Sequence, residues 1–214
     1  MEFRPDGSSL KVSALWMSSL ESTPENPAPA AEMTALLEQA MAGDSAAFEQ
    51  ILIRHERRVL RLAWRLLGSM ADAQDAAQEV FLRAFKYLHR FDVRQPFQPW
   101  LLRMTVNVCR DLGRKRQRQR RIFSDIDPLY VEFEDRGSAN DPHHALASEQ
   151  QKQILQKALT ALPEKQRTAL ILRDIEGLST AEVAEILESS ETTVRSQISS
   201  ARVKLKRALQ GVRT

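Results

Sequence analysis

The sequence is poor in cysteine, in glycine and in long apolar runs, and each shortage excludes a class of protein. Cys109 is the only cysteine among 214 residues, which excludes an internal disulfide framework and a multi-cysteine zinc site. The 7 glycines are about half the usual share of ~7%, which argues against a turn-rich β-sandwich or barrel. No apolar run approaches the ~20 residues that span a bilayer.

The sequence also lacks an export signal and a recognisable catalytic motif. Arg4 lies between Glu2 and Asp6, so no positively charged n-region forms, and the apolar patch 10–17 is short. We therefore expect a cytoplasmic protein with no membrane insertion of its own. Four histidines and no Gly-rich phosphate loop form no catalytic or metal-ligating pattern, so we expect neither an enzyme nor a cofactor or metal.

Charge is arranged in blocks along the chain. Residues 51–110 carry a net +6, residues 111–121 a net +5 and residues 191–214 a net +5, whereas residues 122–150 carry a net −6. The first two ranges are contiguous and form one basic block, and residues 191–214 form the second. Two basic blocks with an acidic segment between them indicate two polyanion-binding surfaces joined by a linker. Two solvated helix faces are the alternative that charge alone leaves open.

Helical spacing of apolar residues predicts an all-α fold with two small helical domains, at 33–121 and 144–210. Asp44 is placed to cap a helix that ends before Gly68, and Asp72 to cap the next. The Pro-rich end of residues 1–32 predicts a disordered N-terminal extension. Residues 122–143 lack helical period and are predicted to be a flexible acidic linker.

The third predicted helix, about 99–120, has two different faces. Leu101, Met104, Val108 and Leu112 recur at core spacing. Another face presents cations and an amide, from Arg103, Asn107, Arg110 and Arg114. The neighbouring aromatic side chains either stack on unpaired bases or pack in the core, and the second alternative is favoured; they are Phe91, Phe97 and Trp100.

The C-terminal domain has the pattern of a helix-turn-helix. Ser179 and Glu182 form an S-x-x-E capping box, a short helix runs to Leu187, and a long helix begins at about Glu191 after a turn. Such a unit inserts the N-terminal half of its second helix into the DNA major groove, although an ordinary helical hairpin has the same pattern. The candidate contacts are Thr192, Thr193, Arg195, Ser196, Gln197, Ser199, Ser200 and Arg202.

Three segments carry motifs that are more specific together than each is alone. Residues 75–81 match the pattern D-x-x-Q-E-x-F. Residues 97–107, continuing to Asp111, are similar to F-x-x-W-L-x-R-I-x-x-N-x-x-x-D, and residues 162–167, followed by the helix-turn-helix to Arg202, match L-P-x-x-x-R. In this order, and over about residues 35–208, the three segments resemble the extracytoplasmic-function (ECF) group of bacterial sigma factors, in which the last motif begins sigma domain 4.

The resemblance implies a sigma factor that binds the β and β′ subunits of core RNA polymerase, directs the polymerase to promoters and helps open promoter DNA. Domain 2, at 33–121, would dock on polymerase through Asp75, Gln78, Glu79 and Phe81. The same domain would recognise and open the −10 element through Trp100, Arg103, Asn107, Arg110 and Arg114.

Domain 4, at 144–210, would by the same resemblance read the −35 element, and an anti-sigma factor is an implied partner. A stand-alone helix-turn-helix regulator is the alternative, and it would have no use for the first two segments. The chain departs from the family at Glu188, where glycine is often found, and at Gln197 and Ser200, where arginine is frequent. Fewer cations on the reading helix weaken attraction to phosphates.

Overall fold

Two groups of helices make up residues 30–124 and 153–210, which are the part of the chain that the computed structural model describes. Side chains are described for 31–119 and 153–210. No strand occurs within these ranges, and the predicted all-α fold with two helical domains is confirmed. The first helical unit contains α1 (Ala30–Met41), α2 (Ser45–Leu67), α3 (Met70–Tyr87) and α4 (Phe97–Ser124).

The predicted segment boundaries differ slightly from the helices. Residues 30–32, at the end of the predicted disordered extension, begin α1, and residues 122–124 of the predicted linker continue α4. The rest of both segments lies outside the described residues. Pro99 stands in the first turn of α4, where its missing N–H costs no helical hydrogen bond.

Both ends of α2 are set by the residues that the sequence indicates. The Asp44 carboxylate accepts hydrogen bonds from the backbone N–H groups of Ala46 and Ala47 at 2.9 and 3.2 Å. Gly68 adopts a left-handed φ of 81° and donates to the Trp64 carbonyl at 2.8 Å. A Cβ at Gly68 would lie 2.8 Å from Thr160 Cγ2, so both the helix end and the approach of the second unit require glycine.

The start of α3 corrects one prediction. Ser69, not Asp72, is the N-cap, because its hydroxyl accepts from the Asp72 backbone N–H at 3.4 Å. Asp72 lies in the first turn, is buried and forms an ion pair with Arg116 of α4. The positive end of the helix dipole still stabilises a carboxylate in the first turn. Ser69 and Asp72 therefore both have the character of residues found at a helix start.

The core of the first unit lies where α2, α3 and α4 meet. Val59 and Leu62 of α2, Val80 of α3, and Leu102 and Val108 of α4 are each at most 1% exposed. On the predicted apolar face of α4, Leu101 and Val108 are buried, whereas Met104 and Leu112 are half-buried against the core. The face of α4 that does not pack in this core can therefore carry charged side chains.

The second helical unit is a compact set of short helices ending in a long one. Residues 153–160 form α5, and α6 (Glu164–Leu170) continues into a π-helical turn at Ile171–Ile175. α7 (Thr180–Ile186) and α8 (Glu191–Gln210) form the predicted helix-turn-helix. Its buried side chains include Leu159, Leu170, Leu172, Val183, Val194 and Ala201.

The predicted capping box of α7 is confirmed. The Ser179 backbone N–H donates to the Glu182 carboxylate at 2.7 Å, and the Glu182 N–H donates to the Ser179 hydroxyl at 3.2 Å. Hydrogen bonding to Ser179 lowers the pKa of Glu182 below its usual range. Along the described ranges, none of the helices combines the length and apolarity that a membrane crossing needs.

His55 is a half-buried titratable group that packs against the core of the first unit. Its ring packs edge-on against Phe97, with centroids 5.3 Å apart, and its Nε2 has no hydrogen-bond partner. Burial, aided by the charges of Arg58 and Arg54, lowers the pKa of His55 from 6.5 to about 4. The folded state therefore binds this proton less tightly than the unfolded chain does.

We expect stability to fall as the pH drops from 6.5 towards about 4, because the unfolded chain takes up the His55 proton first. The contribution reaches up to about 3 kcal/mol. His55→Phe keeps a ring against Phe97 and should flatten the decline in this interval, measured by urea unfolding at several pH values. Parallel pH profiles for the two proteins would contradict this assignment.

Candidate nucleic-acid interface

The basic face predicted on α4 is present as one side of that helix. Arg103, Asn107 and Arg110 are half-buried and Arg114 is exposed. Their spacing of three or four residues places them on the side of α4 away from Leu102 and Val108. The helix can therefore offer three guanidinium groups and one amide to a polyanion without disturbing the core.

The aromatic residues next to this face are mainly core residues. Phe91 and Phe97 are 6% and 5% exposed, and Trp100 is half-buried. The three rings pack together, with centroids 5.1 to 5.5 Å apart. The core alternative therefore holds for the two phenylalanines, and Trp100 is the ring that keeps an accessible part.

Carboxylates of the second unit face the arginines of α4. Arg103 lies 3.5 Å from Glu185 in α7 and 3.6 Å from Glu188 in the turn that follows. Arg110 lies 3.4 Å from Glu164 at the start of α6. Two of the predicted −10 contacts are thus paired with the helix-turn-helix unit in this arrangement.

A buried ionic joint connects the two units behind this face. The Glu176 side chain, 5% exposed, accepts from Arg58 Nε at 2.8 Å and lies 3.5 Å from Arg65 Nη1. Arg58 also donates to the Glu176 carbonyl at 3.0 Å. Burial lowers the pKa of Arg65, and the charge of Glu176 opposes that shift.

A neutral contact supports the same joint. The buried Gln156 amide donates to the Trp64 carbonyl at 2.8 Å, which gives that carbonyl a second hydrogen bond beside the one from Gly68. Sequence reasoning missed Gln156 and Glu176, because neither belongs to a local motif. The available signal was compositional: the second unit is rich in glutamate, whereas α2 and α4 are rich in arginine.

The predicted reading helix, α8, presents a polar outer face. Val194, Ile198 and Ala201 are buried, whereas Arg195 and Arg202 are exposed. Thr192, Thr193, Ser196 and Ser199 are exposed as well, and Ser200 is half-buried. Gln197 is also half-buried, and its Oε1 has no hydrogen-bond partner.

The two predicted contact arginines of α8, Arg195 and Arg202, are held by carboxylates of their own unit. Arg195 donates to Glu191 at 2.6 Å, and Arg202 forms a two-pronged pair with Asp174 at 2.6 and 2.8 Å. The Asp174 contact raises the pKa of Arg202. Pairing of this kind orients a guanidinium group before a ligand arrives.

The predicted polymerase-binding helix, α3, presents a mixed polar and apolar stripe. Asp75 and Gln78 are exposed, and Glu79 accepts from Arg83 at 2.6 Å. Phe81 is only 9% exposed, so it packs in the core and supports the stripe from behind. The binding roles of the residues named for all three surfaces stay predictions.

Sequence reasoning missed two apolar members of this stripe. Leu82 and Phe85 are 67% and 60% exposed, and they follow Gln78 by four and seven residues, which places all three on one face of α3. Phe85 packs edge-on against Phe48, with centroids 5.0 Å apart. The spacing was the available signal, because exposed apolar residues in a continuous patch indicate a contact surface.

Comparison with known proteins matches both units to one family. Residues 51–119 match the family model "Sigma-70 region 2", and residues 152–205 match "Sigma-70, region 4". The ECF RNA polymerase sigma-E factor of Escherichia coli K12 is 34% identical over 171 residues, covering 78% of this chain and 88% of that protein. The RNA polymerase sigma-H factor of Pseudomonas aeruginosa is 32% identical over 179 residues, covering 82% and 92%.

The chain belongs to the ECF group of RNA polymerase sigma factors. It is a sigma factor that directs RNA polymerase, and the alternative of a stand-alone regulator is not favoured. Sigma factors are not a class of enzymes.

Solved structures have the same architecture. CnrH, solved in complex with the cytosolic domain of CnrY, has a TM-score of 0.61 and 27% identity, covering 84% of this chain and 98% of that one. The sigma factor RpoE of Bartonella quintana, solved with the anti-sigma factor NepR, also has a TM-score of 0.61, at 24% identity; it covers 76% and 96%.

Proposed function

We propose that this sigma factor divides its work among three surfaces: α3 for core polymerase, α4 for the −10 element and α8 for the −35 element. The observation that carries the proposal is the separation of a carboxylate and apolar face on α3 from basic faces on α4 and α8. Core polymerase and promoter DNA are the partners. The match to both sigma regions supports a domain 2 at 33–121 and a domain 4 at 144–210, joined by a linker at 122–143.

The α3 surface suits a protein partner more than a nucleic acid. It carries the carboxylates of Asp75 and Glu79, which repel phosphates, beside the exposed side chains of Leu82 and Phe85. An apolar centre with a polar rim is the usual composition of a protein interface. We assign this stripe to the clamp helices of the polymerase β′ subunit.

The α4 surface suits the strand that is opened at the −10 element. Arg103, Arg110 and Arg114 supply positive charge, and Asn107 supplies an amide that can hydrogen-bond an unpaired base. The accessible part of Trp100 offers a ring at the end of the same face. Phe91 and Phe97 keep that ring in place from the core side.

The α8 surface suits the duplex at the −35 element. Its N-terminal half carries Thr192, Thr193, Arg195 and Ser196 on the exposed side, where a helix-turn-helix lies deepest in the major groove. Arg202 and Ser199 lie further along the helix and suit phosphate contacts. The half-buried Gln197 leaves Arg195 as the principal candidate for reading a base.

An anti-sigma factor is a further proposed partner, and the cytoplasm is the proposed location. The structure of CnrH in complex with the cytosolic domain of CnrY supports a similar complex for this chain.

Glu79→Lys should abolish co-purification with core polymerase, because it reverses a charge in the middle of the α3 stripe. The domain should stay folded, since the Glu79 side chain is 43% exposed and loses only its pair with Arg83. Glu56→Lys makes the same charge reversal at an exposed position of α2 and should bind normally. A Glu79→Lys variant with an intact circular dichroism spectrum and undiminished binding would contradict the assignment.

Asn107→Ala should leave polymerase binding intact and impair promoter opening, because it removes an amide from the arginine face of α4. Permanganate footprinting of unpaired thymines measures the opening directly. Co-purification with core polymerase is the control for holoenzyme assembly. Undiminished thymine reactivity would remove Asn107 from the mechanism.

Arg195→Ala should cost ~1–3 kcal/mol of promoter binding and relax sequence preference at one position, as expected for loss of a bidentate contact to guanine. Arg202→Ala should weaken binding to all sequences similarly and lower the salt slope by about one. Holoenzyme binding to promoters with randomised −35 regions, at two salt concentrations, separates the two effects. If neither variant alters preference or salt dependence, α8 is not the reading element.

A further inference from the structure

Arg195 and Arg202 of α8 are each paired with a carboxylate, but the two pairs differ in geometry. Arg202 donates from Nε and Nη2 to both oxygens of Asp174, at 2.8 and 2.6 Å, across 28 positions of the chain. Arg195 makes a single contact, at 2.6 Å, with Glu191 on the same helix. The Asp174 side chain is 23% exposed, and that of Glu191 is 46% exposed. The Arg202 pair is therefore the more constrained of the two.

The backbone on which Asp174 lies is held by the π-helical turn at Ile171–Ile175. The Glu176 backbone N–H donates to the Ile171 carbonyl at 3.0 Å, which is the hydrogen-bond spacing of a π-helix. Ile171 and Leu172 are fully buried, so the turn is anchored in the core of the second unit. Turns of this kind are rare and are frequently found at functional sites. Asp174 therefore projects from an anchored segment and not from a free loop.

We propose that Asp174 is a positioning residue for DNA binding: it holds the Arg202 guanidinium in one orientation, so that the remaining edge of that group meets a phosphate of the −35 duplex. The inference rests on the proposed function of α8 as the −35 surface, and it assigns a role to a residue outside that helix. Asp174 acts through Arg202 and makes no DNA contact of its own, because a carboxylate repels a phosphate.

The guanidinium group has enough donors for both anions. An arginine carries five N–H groups in a planar fork. The Nε–H and one Nη2–H of Arg202 are directed at Asp174, which leaves the other Nη2–H and both Nη1–H groups. The Arg202 side chain is 57% exposed, so a ligand can reach this remaining edge. A phosphate can accept two of the remaining N–H groups in the bidentate arrangement that it forms with guanidinium groups.

Two opposite effects decide what Asp174 contributes to DNA binding. Its charge offsets that of Arg202 and repels phosphates, which weakens the attraction of DNA. Its two-pronged contact removes rotamer freedom that the Arg202 side chain would otherwise lose on binding DNA. Water and salt screen the charge effect at this exposed site, whereas they leave the ordering effect unchanged. The ordering effect therefore prevails at physiological salt, and Asp174 strengthens binding although it is acidic.

The test replaces the carboxylate by an amide of the same shape, in Asp174→Asn. The full chain is assembled with core polymerase, and the DNA is the promoter that wild-type holoenzyme selects from a pool with randomised −35 regions. We expect Asp174→Asn to bind this promoter several-fold more weakly than the wild type at physiological salt. Asp174→Glu restores a carboxylate and should recover part of the loss. Unchanged or tighter binding by Asp174→Asn would overturn the proposal.

Glu191→Gln is the matched control, because it removes the same charge from the same unit and also breaks an arginine pair of α8. We expect this variant to bind the promoter at least as tightly as the wild type. A single contact between neighbouring turns orders Arg195 little, and its loss removes a charge that repels phosphates. Equal weakening by Glu191→Gln and Asp174→Asn would contradict the inference, since the geometry of the Arg202 pair would then be irrelevant.

A double-mutant cycle with Arg202→Ala separates positioning from a purely structural role. If Asp174 acts through Arg202, Asp174→Asn should cause no further weakening in the Arg202→Ala background. An equal loss in both backgrounds would overturn the proposal and make Asp174 a residue that stabilises the second unit. The melting temperatures of the single variants report that stability independently of DNA.

Failure of this inference and failure of the proposed function give different results. If Arg202→Ala weakens binding and Asp174→Asn does not, Asp174 is not a positioning residue, and α8 keeps its −35 role. If Arg202→Ala leaves binding to all sequences unchanged, Arg202 makes no phosphate contact, and the inference fails together with that assignment. The effect of Arg195→Ala on sequence preference then decides separately whether α8 reads the −35 element.

Discussion

The buried carboxylate of Glu176 is the interaction on which the arrangement of the two helical units depends. A charge taken out of water is costly, and removing one partner of such a pair costs about 3–5 kcal/mol. Arg58 and Arg65 compensate this carboxylate, and they do so from positions about two turns apart on one face of α2. The Gln156 bond to Trp64 and the close approach of Thr160 to Gly68 follow from the position that this joint defines.

The division of α4 into two faces links stability with recognition. Its buried side chains hold the first unit together, and its arginines remain available to whichever anion lies opposite. Glutamates fill that place in the free chain, and phosphates are proposed to fill it on a promoter. The same helix can serve both states because exchanging one anion for another leaves the core side of the helix unchanged.

The surfaces on α3 and α8 illustrate how a buried residue supports an exposed one. Phe81 belongs to the motif by which the family is recognised, yet its side chain lies in the core. It anchors α3 on the side opposite the exposed Gln78 and Leu82. On α8 the buried Val194 and Ile198 have the same relation to Arg195. Motif residues therefore include buried supports as well as exposed side chains that are proposed contacts.

Local interactions are what the sequence by itself determined. The ends of α2 at Asp44 and Gly68 and the Ser179 capping box were predictable, because each depends on hydrogen bonds between residues at most four positions apart. Where two such signals overlap, the Ser69 hydroxyl caps the helix, and the Asp72 side chain forms an ion pair with the distant Arg116 of α4. The joint between Arg58 and Glu176 joins residues 118 positions apart. No local pattern encodes that pairing, so the covering of α4 by the second unit was decided by the tertiary structure alone.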